Sequence, residues 1–356
     1  MLSGFLETIK NGACNVIRGD KVCEVRVVML GARGAGKSSM LTAMYERFRQ
    51  SKMSSDYDKH ISINGDEATN NVMKSQYDAL CKMANSDGDI TNAIKPSTGE
   101  RTYKYTISDD TKSGEDSRIV VSFTDYPGGW LTDNHRSHVK EMIKEAHVLL
   151  VAIDAPYLME EGGDYNNKRN MSEEFTKLIE EAWRDSTDVR RMVLLVPIKC
   201  ERYCKSNEEK KCLVRRVKKA YSEFIEELKD NQNYCGVFIV PIETTGTIHF
   251  KQFSEKPADG IPLKQFSEKP AEYIPLSVFE STRKPGHDGY APRNCSQPLR
   301  FVFSYALSAL IQQDQKGVRG ALINVFNINR HFKNALQNIA GGCSGEVLNP
   351  MCKRGN

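Results

Sequence analysis

Apolar and polar positions follow two different periods along this chain, and each change of period marks an element. Val25, Val27, Val28, Met29 and Leu30 make a short β-branched apolar run, which predicts a buried strand. From Ser39 to Gln50 the period lengthens, with Leu41, Met44, Tyr45 and Phe48 recurring on one helical face. Residues 51–95 are polar, with one weakly helical patch over 67–83; a stretch this long is expected to be a partly helical insertion. Residues 102–108 alternate as a strand, 109–116 read as a charged hairpin turn, and 118–123 return as its partner. A helix is predicted over 135–146, and the unbroken apolar run 148–153 is that of a central parallel strand. A loop rich in Gly and Asn follows, then a helix over 172–184, a buried strand over 192–198, a charged helix over 208–229 and a strand over 236–242. Strands alternating with helices at this spacing predict an α/β fold, a mostly parallel sheet with helices on both faces.

The pattern then breaks. Lys251 to Ala258 recurs as Lys264 to Ala271, and Ile261-Pro262-Leu263 as Ile274-Pro275-Leu276, a tandem copy with a 13-residue period. Two copies are too few for a solenoid, so a duplication in a surface loop is expected, with a repeated docking peptide as the sharper alternative. Residues 281–294 read as linker, 297–312 and 322–339 as helices, and the tail from Gly341 as loose. The expected division is an N-terminal extension (1–21), a main domain (22–248, with the insertion at 51–95), a repeat-containing insertion or linker (249–294), C-terminal helices (295–340) and a flexible tail (341–356).

Composition narrows the class. With 39% hydrophobic and 27% charged residues and a net charge of +4, the chain is ordinary for a globular protein and gives no argument for a nucleic-acid partner. No apolar run approaches the length of a bilayer span, and residues 1–20 lack a continuous apolar segment of the secretory kind. Ten cysteines lie scattered with no C-x-x-C pair, which reads as reduced thiols in a cytoplasmic protein.

The chemistry begins where the first strand ends. Gly31-Ala32-Arg33-Gly34-Ala35-Gly36-Lys37-Ser38 matches G-x-x-x-x-G-K-[ST] in full, between a predicted strand and a predicted helix. In that context the backbone N–H groups of Gly31, Gly34, Ala35, Gly36 and Ser39 and the positive helix end form an anion cradle. Lys37 reaches β- and γ-phosphates, and Ser38 is a Mg²⁺ ligand. Asp125-Tyr126-Pro127-Gly128 closes an apolar strand as D-x-x-G: an aspartate for the metal and a glycine N–H for the γ-phosphate. Pro96-Ser97-Thr98-Gly99 precedes the partner strand; Thr98 is the chosen further metal hydroxyl and Thr102 the reserve. Ile198-Lys199-Cys200-Glu201 ends another strand with a lysine whose stem can cover a base and a carboxylate that can accept from guanine N1 and N2. Glu243-Thr244-Thr245-Gly246 ends the next, where a backbone N–H at Thr245 could meet the guanine O6.

In this order the stations GARGAGKS, PSTG, DYPG, IKCE and ETTG resemble those of a Ras-like P-loop GTPase (TRAFAC class) over residues 22–250, and the wider pattern resembles the divergent double-GTPase (DO-GTPase) group. The resemblance implies a Ras-like sheet whose last element is the helix near 297–312. It also implies GTP/GDP and Mg²⁺ as ligands, slow GTP hydrolysis, and a nucleotide-gated switch at 85–100 and 125–140 acting on a protein effector or through self-association. Three positions depart from the family pattern: Ile198 for Asn, Glu201 for Asp, and Gly129 for the water-orienting Gln. Arg33, His135 and His138 are the candidates to replace that Gln, but a solvated loop arginine and helix-surface histidines are the expected readings, so hydrolysis is expected to stay slow. The rival readings are a P-loop ATPase or phosphotransferase with 249–294 as a lid, and a pseudo-GTPase scaffold.

Overall fold

The computed structural model describes residues 17–18, 23–51, 61–86, 89–90, 99–110, 118–131, 134–184, 191–230, 235–257, 274–282, 289–317, 337–341 and 343–349. In chain order its strands are β1 (Ile17–Arg18), β2 (Cys23–Leu30), β3 (Ile61–Gly65), β4 (Asp89–Ile90), β5 (Arg101–Asp109), β6 (Arg118–Asp125), β7 (Val148–Asp154), β8 (Arg191–Ile198), β9 (Cys235–Ile239), β10 (Ile248–Pro257), β11 (Pro275–Ser281) and β12 (Glu346–Asn349). The helices are α1 (Lys37–Ser51), α2 (Glu67–Ala84), α3 (Arg136–Glu145), α4 (Ala155–Met159), α5 (Asn166–Asn170), α6 (Ser172–Trp183), α7 (Asn207–Ala220), α8 (Ser222–Asp230) and α9 (Gln297–Gly317). Among the described residues no helix is long and apolar enough to cross a membrane.

Among the described residues, nine strands form the main sheet in the order β12-β9-β8-β7-β2-β6-β5-β3, with β1 beside β2. The central five, β9, β8, β7, β2 and β6, are parallel, and β12, β5 and β3 add antiparallel edges. Every residue of β7 and β8 is buried, as a parallel strand covered on both faces requires. Side chains alternate between two cores. Val25, Val27 and Met29 face Leu41 and Met44 of α1 and Leu299, Val302 and Ala306 of α9. Val28 and Leu30 face Val139 and Ile143 of α3, Leu178 of α6 and Leu213 of α7. The result is the expected α/β architecture, with helices on both sides of a mostly parallel sheet.

Several elements differ from the periodic reading. β3 lies inside the polar insertion; it carries only two apolar residues, Ile61 and Ile63, both buried against β5. The Gly/Asn-rich loop holds the short helices α4 and α5. The charged helix over 208–229 is two helices, broken at Tyr221 (φ −116°, ψ 24°), whose ring is buried. That break lets Phe224, Ile225 and Leu228 reach the same core as Leu213 and Val217. Within the tail, β12 pairs antiparallel with β9.

A second sheet, β10-β11-β4, grows from the insertions. The first copy of the repeat supplies Lys251–Pro257 of β10, and Pro275 and Leu276 of the second open β11; the intervening residues 258–273 lie outside the described set. Ile248, Phe250 and Phe279 pack with Ile90, Tyr290 and Leu80 and Ala84 of α2, a satellite core separate from the other two. Because it has its own core, this sheet should loosen independently. Phe250→Ala is expected to lower hydrogen-exchange protection across 248–257 and 275–281 while β7 and β8 keep theirs; loss of protection throughout would show one cooperative unit.

Candidate functional site

Because β2, β6, β7 and β8 are parallel, their C-terminal ends fall on one edge of the sheet, the edge where ligands bind in open α/β folds. Leu30 leads into the glycine-rich loop, and Asp125, Asp154 and Ile198 close the other three strands. Gly34 (φ +70°) and Gly36 (φ +111°) hold the left-handed conformations that wrap the loop, and α1 begins at Lys37. A Cβ on Gly36 would also press on the Ile198 side chain at 3.1 Å, so β8 backs the loop.

Lys37 and Ser38 converge on Asp125. The Lys37 Nζ is 4.0 Å from Asp125 Oδ1, donates to the Gly31 carbonyl at 2.9 Å and lies 5.2 Å over the Tyr126 ring. Burial lowers the Lys37 pKa, the Asp125 carboxylate opposes that shift, and the Arg169 guanidinium adds to it. Ser38 Oγ donates to Asp125 Oδ2 at 2.6 Å. A hydroxyl and a carboxylate oxygen this close are hard donors that fit Mg²⁺, which takes one or two protein ligands and fills its shell from water and phosphate. Thr98 lies outside the described residues, and the reserve Thr102 is exposed on β5 opposite Thr124.

Gly128 packs directly on the cradle. A Cβ there would fall 2.2 Å from the Arg33 backbone N, so only glycine admits this approach. Around Gly129 a Cβ would meet nothing within 4 Å. Arg33 is exposed. Trp130 stacks on His135 at 4.5 Å, and His138 Nε2 pairs with Glu100 at 2.8 Å, tying the segment after the D-x-x-G turn to the start of β5. Ser39 is the third residue of α1.

At the far end of the cradle, Lys199 adopts a left-handed backbone (φ +59°), its Cε 3.5 Å from a Cβ position on Gly36. Its Nζ bonds Asp154 Oδ2 at 2.6 Å, and its N–H donates to Thr244 Oγ1. Glu201 is 3% exposed and turns toward the E-T-T-G turn: one oxygen accepts from the N–H groups of both Thr245 and Gly246. Burial pushes the Glu201 carboxyl up to about 7. Residues 289–293 cover this turn, with the Tyr290 hydroxyl donating to the Thr244 carbonyl at 2.9 Å.

Three residues of the edge escaped the sequence reading. Asp154, fully buried, was legible as the end of a strand but not as the partner of Lys199. Asn170 accepts from the Asp154 N–H at 2.7 Å and donates back to the Asp154 carbonyl at 3.2 Å, pinning α5 to β7. Arg169 donates through Nη2 to the Gly34 carbonyl at 2.9 Å. The last two sit in a stretch whose polar composition reads as loop, so only the fold brings them to the cradle.

Sheet topology and loop geometry together define a Ras-like P-loop domain. The family model described as Double-GTPase 2 matches residues 26–234, more than half of the chain, and the chain belongs to this family of GTPases. No curated protein matches. Among solved structures, the Ski7 GTPase-like domain of S. cerevisiae, bound to GTP, aligns at 12% identity with a TM-score of 0.39, over 67% of this chain. The chain spans 45% of the length of that structure.

The Glu201 carboxyl gives the site a pH signature. Its pKa of about 7 lies above the ordinary 4.5, so the folded state holds a proton that the unfolded state releases between those values. Stability should therefore fall as pH rises from 4.5 to 7, by up to about 3 kcal/mol. Glu201→Gln keeps an acceptor for the two N–H groups and should flatten this slope in denaturant titrations. An unchanged slope would place the titration elsewhere.

Proposed function

We propose that this protein binds guanine nucleotide with Mg²⁺ in the loop 31–38, hydrolyses GTP slowly, and uses the bound state to gate a protein partner. The observation that carries this reading is the convergence of Lys37, Ser38 and Asp125 under a glycine-rich loop in a chain of the Double-GTPase 2 family. The loop N–H groups and the start of α1 favour a polyanion. Lys37 offsets charge on the β- and γ-phosphates. Ser38 and Asp125, with Thr98 as a further hydroxyl, would hold the metal, which when bound neutralises charge on the triphosphate. Gly128, already against the cradle, would bring its N–H to the γ-phosphate.

Guanine selection rests on the Glu201 carboxylate at the end of β8, an acceptor for N1–H and N2–H. In the structure Glu201 holds the Thr245 and Gly246 amides, so base binding requires the carboxylate to share those bonds or exchange them. The Lys199 Cε beside Gly36 supports a role for its stem in flanking the base. Six free cysteines among the described residues support a reducing compartment, the cytoplasm. For the switch, the support is the contact from His138 to Glu100, which joins the two segments a γ-phosphate would order.

Equilibrium binding of GTP, ATP and XTP, with and without Mg²⁺, tests the reading. GTP should bind most tightly and lose affinity without the metal, whereas equal binding of ATP would favour an ATPase. Lys37→Ala should remove most triphosphate affinity and leave the fold intact. Glu201→Gln should cost GTP about 1–3 kcal/mol, with XTP gaining relative to GTP. Since Gly129 has no side chain to orient water, single-turnover hydrolysis is expected near 10⁻⁴–10⁻³ s⁻¹, about the unassisted rate of this class. Fast hydrolysis independent of protein concentration would show that the chain itself replaces the glutamine.

A further inference from the structure

Arg169 is a cation at the cradle that neither the motif nor the pattern of stations assigns. It is the penultimate residue of α5, and its side chain is 13% exposed. Nη2 lies 2.9 Å from the Gly34 carbonyl and 3.1 Å from the position a Gly34 Cβ would take, so the guanidinium rests on the rim of the loop. Its ion pair with Asp154 is long and shared: the Arg169 Nε stands 3.9 Å from Asp154 Oδ2, the oxygen that Lys199 Nζ already bonds at 2.6 Å. Among the described residues this buried Nε has no hydrogen-bond partner. Its charge is felt at Lys37, so two cations address one loop. Two cations around an anion cradle repel each other, and a polyanion between them relieves that repulsion.

The guanidinium is also held in place. Its Cζ lies 5.1 Å over the Tyr157 ring. Tyr157 in turn donates its hydroxyl to the Pro275 carbonyl at 2.6 Å, and its ring lies 4.9 Å from that of Phe253. The small sheet thus grips the aromatic platform on which Arg169 rests. From the other side, the Asn170–Asp154 pair fixes the end of α5 to the main sheet. A planar fork of donors, held over an aromatic ring and sharing its carboxylate with a closer lysine, is an arrangement that suits phosphate oxygens.

We propose that Arg169 is a phosphate ligand supplied in cis, a second cation beside Lys37 for the bound polyphosphate, positioned by Tyr157 and the β10–β11 hairpin. The proposal rests on the nucleotide-binding reading and extends it to a residue outside the motif.

Calorimetric binding of GMP, GDP and a non-hydrolysable GTP analogue to the full chain, with Mg²⁺, tests it in wild type, Arg169→Ala and Arg169→Lys. Arg169→Ala should weaken the analogue by about 10- to 100-fold, the range for losing a charge-assisted hydrogen bond, and GMP much less. Arg169→Lys keeps the charge but loses the fork, and should fall between wild type and alanine. Unchanged affinities would overturn the proposal, as would an equal loss for all three ligands, the mark of a brace for the loop. If Arg169→Ala does not fold, the lysine variant decides: a loss confined to the polyphosphates supports the proposal, and none overturns it. Wild type that binds none of the three would overturn the nucleotide reading itself, and this inference with it.

Discussion

A buried ammonium needs a buried carboxylate, and the rest of this structure is arranged around one such pair. Lys37 and Asp125 are 7% and 1% exposed, 4.0 Å apart, on segments 88 positions apart in sequence. Neither charge is tolerable alone at that depth, since removing one partner of a buried pair strands the other. They meet because β2 and β6 are parallel neighbours, so the loop after one strand and the last residue of the other emerge at the same edge. Ser38 completes the cluster by donating to the second Asp125 oxygen. The two cores above and below the sheet serve this edge: they hold the strand ends in register, and with them the polar groups that the ends present.

The insertions gather at the same edge rather than scattering over the surface. Lys199 lies 5.6 Å beneath the Phe279 ring of β11, Tyr290 bonds the Thr244 carbonyl, and Tyr157 joins the hairpin to Arg169. The small sheet therefore touches both ends of the cradle, the loop through Arg169 and the E-T-T-G turn through residues 289–293. Through Arg169, Tyr157 and Phe253 a chain of contacts runs from the loop to the satellite core of Phe250, Phe279 and Leu80.

How much of this was legible in the sequence follows from the range of the signals. Val27 to Leu30, 148–153 and 192–198 are apolar throughout, and such runs have few alternatives to a buried strand. The glycine-rich loop and the D-x-x-G turn are local too, because backbone geometry fixes their spacing; the pairing of Ser38 with Asp125 could be anticipated for that reason. Harder to read was structure that depends on distant partners. β3 has two apolar residues, and its burial comes from pairing with β5. β12 is a strand because the free edge of β9 accepts it. Tyr221 breaks a helix that its charge pattern alone would continue, because the core draws the ring in. The same limit hid Arg169 and Asn170, polar residues in a polar stretch whose contacts, Gly34 and Asp154, lie 135 and 16 positions away. Glu201 shows the converse: its place at the end of β8 was readable, whereas its turn toward the Thr245 and Gly246 amides is a property of the folded loop.

We propose that the Lys37–Ser38–Asp125 cluster is a phosphate and metal site. A crystal structure of the full chain with Mg²⁺ and a non-hydrolysable GTP analogue tests it most directly. In that complex the Lys37 ammonium is expected to exchange the Gly31 carbonyl for phosphate oxygens, and the Ser38 hydroxyl to turn from Asp125 to the metal, with Asp125 beside it. Nucleotide bound away from residues 31–38, or bound there with Lys37 still on Gly31 and no metal at Ser38, would contradict it.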